Sequence, residues 1–215
     1  MKKKIDKSKI SELLFDGMSI MVGGFMCIGT PEEIIDEIVK SGVKNITIIC
    51  NDAGLPGQGV GKLISNGQVK KLVASHIGLN PEAGTLMSEG KLECVLTPQG
   101  TLIEQIRAGG SGLGGFLTPT GLGTMVEEGK QIITLNGSDY LLELPIRADL
   151  AIVYGTEVDH YGNVVYTKTT RNFNPILATA TDKVLVQARH IVKELNPDYV
   201  MTPHIFVDYV IEEGK

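Results

Sequence analysis

The stretch from Asp16 to Glu33, DGMSIMVGGFMCIGTPEE, limits what this chain can fold into more than any other. Ser19 to Val22 (SIMV) predicts a buried strand. Gly23, Gly24 and Phe25 form a glycine turn, Met26 to Ile28 a short apolar bridge, and Gly29 leads into a helix. Thr30 is placed to cap that helix, Pro31 suits its first position, and Glu33 completes a capping box. A strand that ends in glycines ahead of a capped helix directs backbone N–H groups into a crevice. Such a crevice attracts anions and lets a ligand approach the main chain closely. The stretch therefore reads as one half of a site.

The segments that follow set the fold class. A helix is expected from Pro31 to Lys40, with Ile34, Ile35, Ile38 and Val39 on one stripe and a stop at Gly42. Asn45 to Cys50 is β-branched and apolar, as in a strand buried on both faces. Strand, helix and strand over some 30 residues make a βαβ unit, and hence an α/β fold with a mainly parallel sheet. Ligands of such sheets sit beyond the carboxyl ends of the strands, where Gly23 to Phe25 lie and where Asn51 and Asp52 open the loop Asn51 to Gly61.

Val69 to Ser75 and Leu92 to Leu96 read as further strands, with a weak helix near Thr85 to Ser88 between them. Pro98, Gln99 and Gly100 lead into a second capping box, Thr101 to Glu104, with a helix ending before Gly109. Residues 8–16 suggest a short amphipathic helix. Strands are expected at Gln131 to Leu135, Leu150 to Tyr154, Asn163 to Tyr166 and Val184 to Gln187, with a hairpin turn at Tyr161-Gly162-Asn163. Residues 199–211 carry no clear pattern. With no repeat and no linker-like composition, residues 1–215 read as one domain.

Glycine makes up 26 of the 215 residues, well above the usual ~7%. Seven fall in the sixteen positions of GGSGLGGFLTPTGLGT, residues 109–124. That segment is a flexible surface loop or, given Leu113, Phe116, Leu117 and Leu122, an ordered loop closing over a ligand. The second reading is preferred.

A net charge of −5 argues against a nucleic-acid partner. No apolar run reaches the ~18 residues of a membrane span. The start MKKKIDKSKISELLF mixes charges and lacks an export signal, so a cytoplasmic location is expected. Cys27, Cys50 and Cys94 form no CxxC pair and suit reduced thiols. His76, His160, His190 and His204 show no metal-ligand spacing, so no metal site is expected; only His76, after a strand, stands out.

The chain lacks a complete catalytic motif. Gly109-Gly110-Ser111-Gly112 is followed by Leu113, which breaks G-x-S-x-G; the P-loop and the dinucleotide fingerprint also fail. Glu32 and Glu33 complement a helix N-terminus, Glu104 belongs to its own capping box, and Glu127 and Glu128 read as solvated. What remains is backbone donors and the amide of Gln99 at a strand end, the parts of an oxyanion hole. Stabilisation is on offer, but an attacking group is missing.

Asp16-Gly17, Ile20-Met21-Val22, Gly23-Gly24-Phe25, Gly29 and Pro31 resemble the first signature of the family I coenzyme A transferases. The similarity runs on through SHIGLNPE, LTPQGTLIEQIRAGGSGLGGFLTPTGLGT, EEGK and RNFNP. It looks closest to the A (alpha) subunits of short-chain acyl enzymes. The resemblance implies a three-layer α/β/α fold with a mainly parallel central sheet and extra β-hairpin strands, a fold shared with sugar-phosphate isomerases. It further implies a two-subunit, ping-pong enzyme, assembled as a heterotetramer, whose nucleophilic glutamate sits in an S-E-N-G motif of the B subunit. That motif is absent here.

By the same resemblance, Gln99 would donate to the carbonyl oxygen that becomes an oxyanion. Gly24, Phe25, Met26, Cys27, Ile28, Gly29 and Thr30 would line the CoA site, and Gly23 and Asn51 would border the acyl end. Coenzyme A would be a substrate, with no tightly bound cofactor. Two rivals of the same fold type are a sugar-phosphate isomerase or lactonase, which should carry its own acid and base, and a metabolite-binding domain without catalysis.

Overall fold

The computed structural model describes residues 1–214. The expected βαβ unit is present: β1 (Ser19–Val22), α1 (Glu32–Ser41) and β2 (Ile46–Cys50), with β1 and β2 parallel. The chain then steps outward through α2 (Val60–Ser65), β3 (Val69–Ala74), α3 (Pro81–Ser88) and β4 (Glu93–Leu96). After α4 (Gln99–Gly110) and a small sheet, it returns to the other side of β1 with β8 (Ala148–Asp159), β10 (Thr181–Val192) and β11 (Tyr209–Glu212). The order is β11-β10-β8-β1-β2-β3-β4, parallel throughout, with β9 (Val164–Val165) antiparallel on β8. The direction of winding reverses between β1 and β8, and a ligand crevice belongs beyond the carboxyl ends at such a switch point.

Side chains alternate across a strand, and β1 shows what that does. Ile20 and Val22 face a core shared with Ile34, Ile35 and Ile38 of α1 and Leu63 of α2. Met21 faces the opposite core, with Leu102 and Ile106 of α4 and Leu177 of α5 (Asn174–Leu177). Helices cover both faces, giving the expected three-layer α/β/α arrangement. None of the described helices is long and apolar enough to cross a membrane.

The extra strands form a separate antiparallel sheet, β5 (Phe116–Thr118), β6 (Ile132–Leu135) and β7 (Ser138–Glu143), in the order β5-β7-β6. Residues 109–124 are therefore not one loop. Gly109 and Gly110 end α4, where a Cβ would lie 2.1 Å from the Ile146 carbonyl oxygen and 2.2 Å from Thr179 Oγ1. Phe116 to Thr118 joins the small sheet.

Three further expectations change. Residues 8–16 hold a 3₁₀ helix, Lys7–Leu13, capped by the Asp6 carboxylate; one buried residue, Ile10, gives too little packing for a longer α-helix. The weak helix at 85–88 begins at Pro81, because the Asn80 side chain accepts from Ala83 N–H. Glycine-rich residues 51–61 lead directly into α2. The turn at Tyr161-Gly162-Asn163 is present, with all three N–H groups donating to one carboxylate oxygen of Asp159 at 2.9–3.0 Å.

Candidate active site

The glycine loop is built from the end of β1 outward. Gly23 N–H donates to the Ile152 carbonyl of β8 (3.0 Å), which keeps the first glycine in the sheet. Phe25 and Ile28 then exchange backbone hydrogen bonds of 3.1 and 2.9 Å around a two-residue turn. Its central residues, Met26 (φ 48°) and Cys27 (φ 65°), are both left-handed, a geometry that ordinarily selects Asn and Gly. Such residues cost on the order of 1–3 kcal/mol each and persist where their surroundings hold them.

Part of what holds them is Asp52, just past β2. One of its oxygens accepts from Met26 N–H and the other from Gly54 N–H, each at 2.9 Å. The turn leaves Phe25, Met26 and Ile28 exposed at 41%, 43% and 50%.

Thr30 does not cap α1. Its hydroxyl packs on Gly24, where a Cβ would lie 2.0 Å from Thr30 Oγ1. The helix end is closed from across the sheet by Gln187 of β10, whose Oε1 accepts from Glu33 N–H (3.0 Å) and Ile34 N–H (3.4 Å). Glu33 closes no capping box either; it pairs with Lys7 (2.7 Å) and accepts from Gly214 N–H (2.9 Å). Glu32 accepts from Gly59 N–H (2.8 Å) and pairs with Lys62 (2.7 Å). The N-terminus of α1 is thus committed internally and is not the open anion cradle that the sequence suggested.

The open helix end is that of α4. It starts at Gln99, two residues before the expected cap, and no side chain caps it. Thr101 lies inside the helix and Glu104 pairs with Arg107 (3.0 Å). Gln99 and Gly100 precede the first helical bond, from Leu102 N–H to the Pro98 carbonyl (2.9 Å), so their N–H groups face outward with the positive end of the helix.

A cavity of about 400 Å³ opens there, lined by Phe25, Asn51, Gln99, Gly100, Ile103, Asn172 and Phe173. Three residues named from sequence, Phe25, Asn51 and Gln99, meet in it from three different strand ends. Asn51 is only 3% exposed, yet its side-chain amide bonds to nothing among the described residues. The amide is therefore free to meet whatever enters the cavity it lines. Two amides and an uncapped helix end thus face an apolar wall of Phe25, Ile103 and Phe173.

Gly23, Gly24, Cys27 and Thr30 line a narrower crevice behind this cavity, together with Asn51 and Asp52. At about 10 Å³ it has room for little more than one water. Met26 and Ile28 lie on the exposed outer surface of the turn, and Gly29 packs against residues 170–172. His76 is exposed and lines neither space.

The lining of the larger cavity includes no carboxylate, thiol or imidazole. Burial pushes the Cys27 thiol up, a shift that the nearby carboxylates of Glu32 and Asp52 reinforce, so it is no thiolate nucleophile. Asp52 spends both oxygens on backbone N–H groups. Among the described residues no cluster of His, Cys, Asp or Glu is arranged to hold a metal ion.

Sequence reasoning missed Ile103 and Phe173 in the wall and Asn172 beside them. The RNFNP block contained two of the three, without a local signal of what they touch.

The coenzyme A transferase family model matches residues 5–213. The chain belongs to this family. It is 54% identical over 204 residues to the acetate CoA-transferase subunit alpha of Escherichia coli K12, covering 93% of each chain. To the acetoacetyl-CoA:acetate/butyrate CoA transferase alpha subunit of Clostridium acetobutylicum it is 53% identical over 200 residues, covering 92% of each.

Among solved structures, an acyl-CoA transferase from Escherichia coli O157:H7, captured as a thioester complex with CoA, aligns with a TM-score of 0.85 at 21% identity. The alignment covers 97% of this chain and 46% of that one, so the chain spans about half of that enzyme. Glutaconate coenzyme A-transferase from Acidaminococcus fermentans gives a TM-score of 0.83 at 18% identity, covering 98% of this chain and 75% of that chain. At these identities the likeness establishes the fold.

Proposed function

We propose that this chain is the alpha subunit of a cytoplasmic CoA-transferase that moves coenzyme A between short-chain acyl-CoA and a carboxylic acid. Acetoacetyl-, butyryl- and acetyl-CoA are the expected donors. Its partner is a beta subunit carrying the nucleophilic glutamate, and the two assemble as a heterotetramer. One observation carries the reading: a cavity equipped with two amides and an open helix end, but with no attacking group of its own, in a chain more than half identical to named alpha subunits.

In the proposed reaction the partner's glutamate attacks the thioester carbonyl and expels the CoA thiolate, leaving an acyl-glutamyl anhydride. The thiolate then attacks the glutamyl carbonyl, releasing the donor acid and forming an enzyme–CoA thioester. The acceptor carboxylate repeats the sequence in reverse and leaves as its CoA ester. Each attack turns a carbonyl oxygen into an oxyanion, which the Gln99 amide is placed to meet, in a site where fixed donors act most strongly. Asn51 borders the acyl group, and the exposed face of the glycine loop meets coenzyme A.

The test is co-expression with the beta subunit and assay with acetoacetyl-CoA and acetate. Transfer of CoA by the complex, and none by either subunit alone, is the expected result. An assembled complex without transfer overturns the reading. Turnover of a sugar phosphate by the isolated chain would favour the isomerase alternative.

A further inference from the structure

The loop Gly23 to Thr30 is held at both ends by one short segment far away in the chain, residues 169–174. Asn172 Oδ1 accepts from Gly24 N–H (3.1 Å) and from Phe173 N–H (2.6 Å). Its Nδ2 donates to the carbonyls of Ile28 (3.0 Å) and Thr169 (2.7 Å). A primary amide has two donor hydrogens and two acceptor positions, and here all four are used. Although Asn172 lines the cavity, its amide has no capacity left for a ligand.

Asn174 is fully buried. Its Nδ2 donates to the carbonyls of Gly29 (2.9 Å) and Thr170 (2.8 Å), and its Oδ1 accepts from Tyr154 N–H of β8 (3.0 Å).

The glycines at the two ends of the loop match this segment. A Cβ on Gly23 would lie 1.8 Å from Asn174 Oδ1. A Cβ on Gly29 would lie 2.9 Å from the Thr170 Cα and 3.1 Å from Asn172 Nδ2. These two positions are glycine because the asparagine segment packs on them, with no need of a ligand to explain them. The turn between them carries the left-handed Met26 and Cys27 and lacks the residues that would favour that shape unaided.

We propose that Asn172 and Asn174 are positioning residues that pre-form the glycine loop for its ligand. Asn172 spans the turn from Gly24 to Ile28, and Asn174 fixes its exit at Gly29 against β8. They act through the loop and touch no reacting atom. A pre-formed loop spares the ligand the ordering of a strained turn, so losing the clamp weakens binding and leaves the chemical step largely intact. The inference rests on the reading that this loop faces coenzyme A.

The experiment uses the complex of this chain with its beta subunit. In Asn172→Ala, the Kd for CoA by calorimetry and the KM for acyl-CoA are expected to rise about ten-fold, the size of one or two lost hydrogen bonds. At saturating acyl-CoA, kcat should stay within about three-fold of wild type and the KM of the acceptor acid should be near unchanged, while Tm falls by only the few degrees that lost hydrogen bonds account for. A general loosening of the fold would not produce that split.

If the alanine variant does not assemble, Asn172→Asp keeps the shape and both acceptor bonds but sets an oxygen against the Ile28 carbonyl. The same rise in Kd is expected. CoA affinity within two-fold of wild type in the assembled Asn172 variant overturns the clamp. Gly24→Val separates the two ideas. If it abolishes CoA binding while the Asn172 variant does not weaken it, the clamp alone fails. If it leaves CoA affinity unaltered, the reading of the loop and the clamp fail together.

Discussion

At the scale of single residues, the cavity assigns sharply different tasks to three similar side chains. Gln99 is exposed at an uncapped helix end, Asn51 is buried with an idle amide, and Asn172 is saturated by the backbone. Only the first two have donors to offer. Gln99→Ala should therefore lower kcat by on the order of 100-fold while the assembled complex elutes unchanged from a sizing column. Unchanged turnover in the intact complex would remove Gln99 from the reaction. Gln99 and Asn51 were legible in the sequence because both follow strand-forming runs directly, and the rule about carboxyl ends of strands is local. Asn172 was not: its contact with Gly24 joins positions 148 residues apart, and nothing within RNFNP marks which backbone it meets.

At the scale of elements, the two capping boxes read from sequence both fail, for different physical reasons. In α1 the Thr30-x-x-Glu33 pattern is displaced by a tertiary partner, Gln187, whose side chain reaches two first-turn N–H groups from β10, two strands over from β1. Local propensity yields whenever a buried side chain can do the same work. Gln187→Ala should lower stability by about 1–2 kcal/mol, a fall of several degrees in Tm for a chain of this size. It also leaves Glu213 without the Gln187 Nε2 donor at 3.1 Å. A Tm within one degree of wild type would mean that Thr30 can resume the cap. In α4 the box at Thr101 is passed over because the helix starts earlier, at the very residue read as the oxyanion donor. A helix end left open beside a cavity departs from the local rule where a site would require it. Strand lengths were misjudged for a third reason. β8 and β10 lie inside the sheet, and their pairing with each other extends them well beyond their most apolar cores.

At the scale of the whole molecule, strand order was beyond the reach of local pattern, since β1 pairs with a strand that begins about 130 residues later. That pairing brings the C-terminal end of the chain against the start of α1, immediately behind the glycine loop. Tyr154 of β8 donates its hydroxyl to Glu213 (3.0 Å), Glu213 accepts from Gln187, and Gly214 N–H reaches Glu33. Burial pushes the Tyr154 hydroxyl up to about 12, and its hydrogen bond to the Glu213 carboxylate adds to the shift. A pKa above that of an unfolded tyrosine, about 10, means that the folded state holds on to the proton. The contribution of Tyr154 to stability is then complete below pH 10 and is lost as the pH climbs from there through about 12. Tyr154→Phe lacks this group, so the difference between the two proteins isolates its contribution. Measured by chemical unfolding at intervals from pH 8 to 12, wild type should exceed Tyr154→Phe by a constant margin up to about pH 10, and that margin should then shrink. A margin that stays flat across the whole range would show that the proton is not held by the fold.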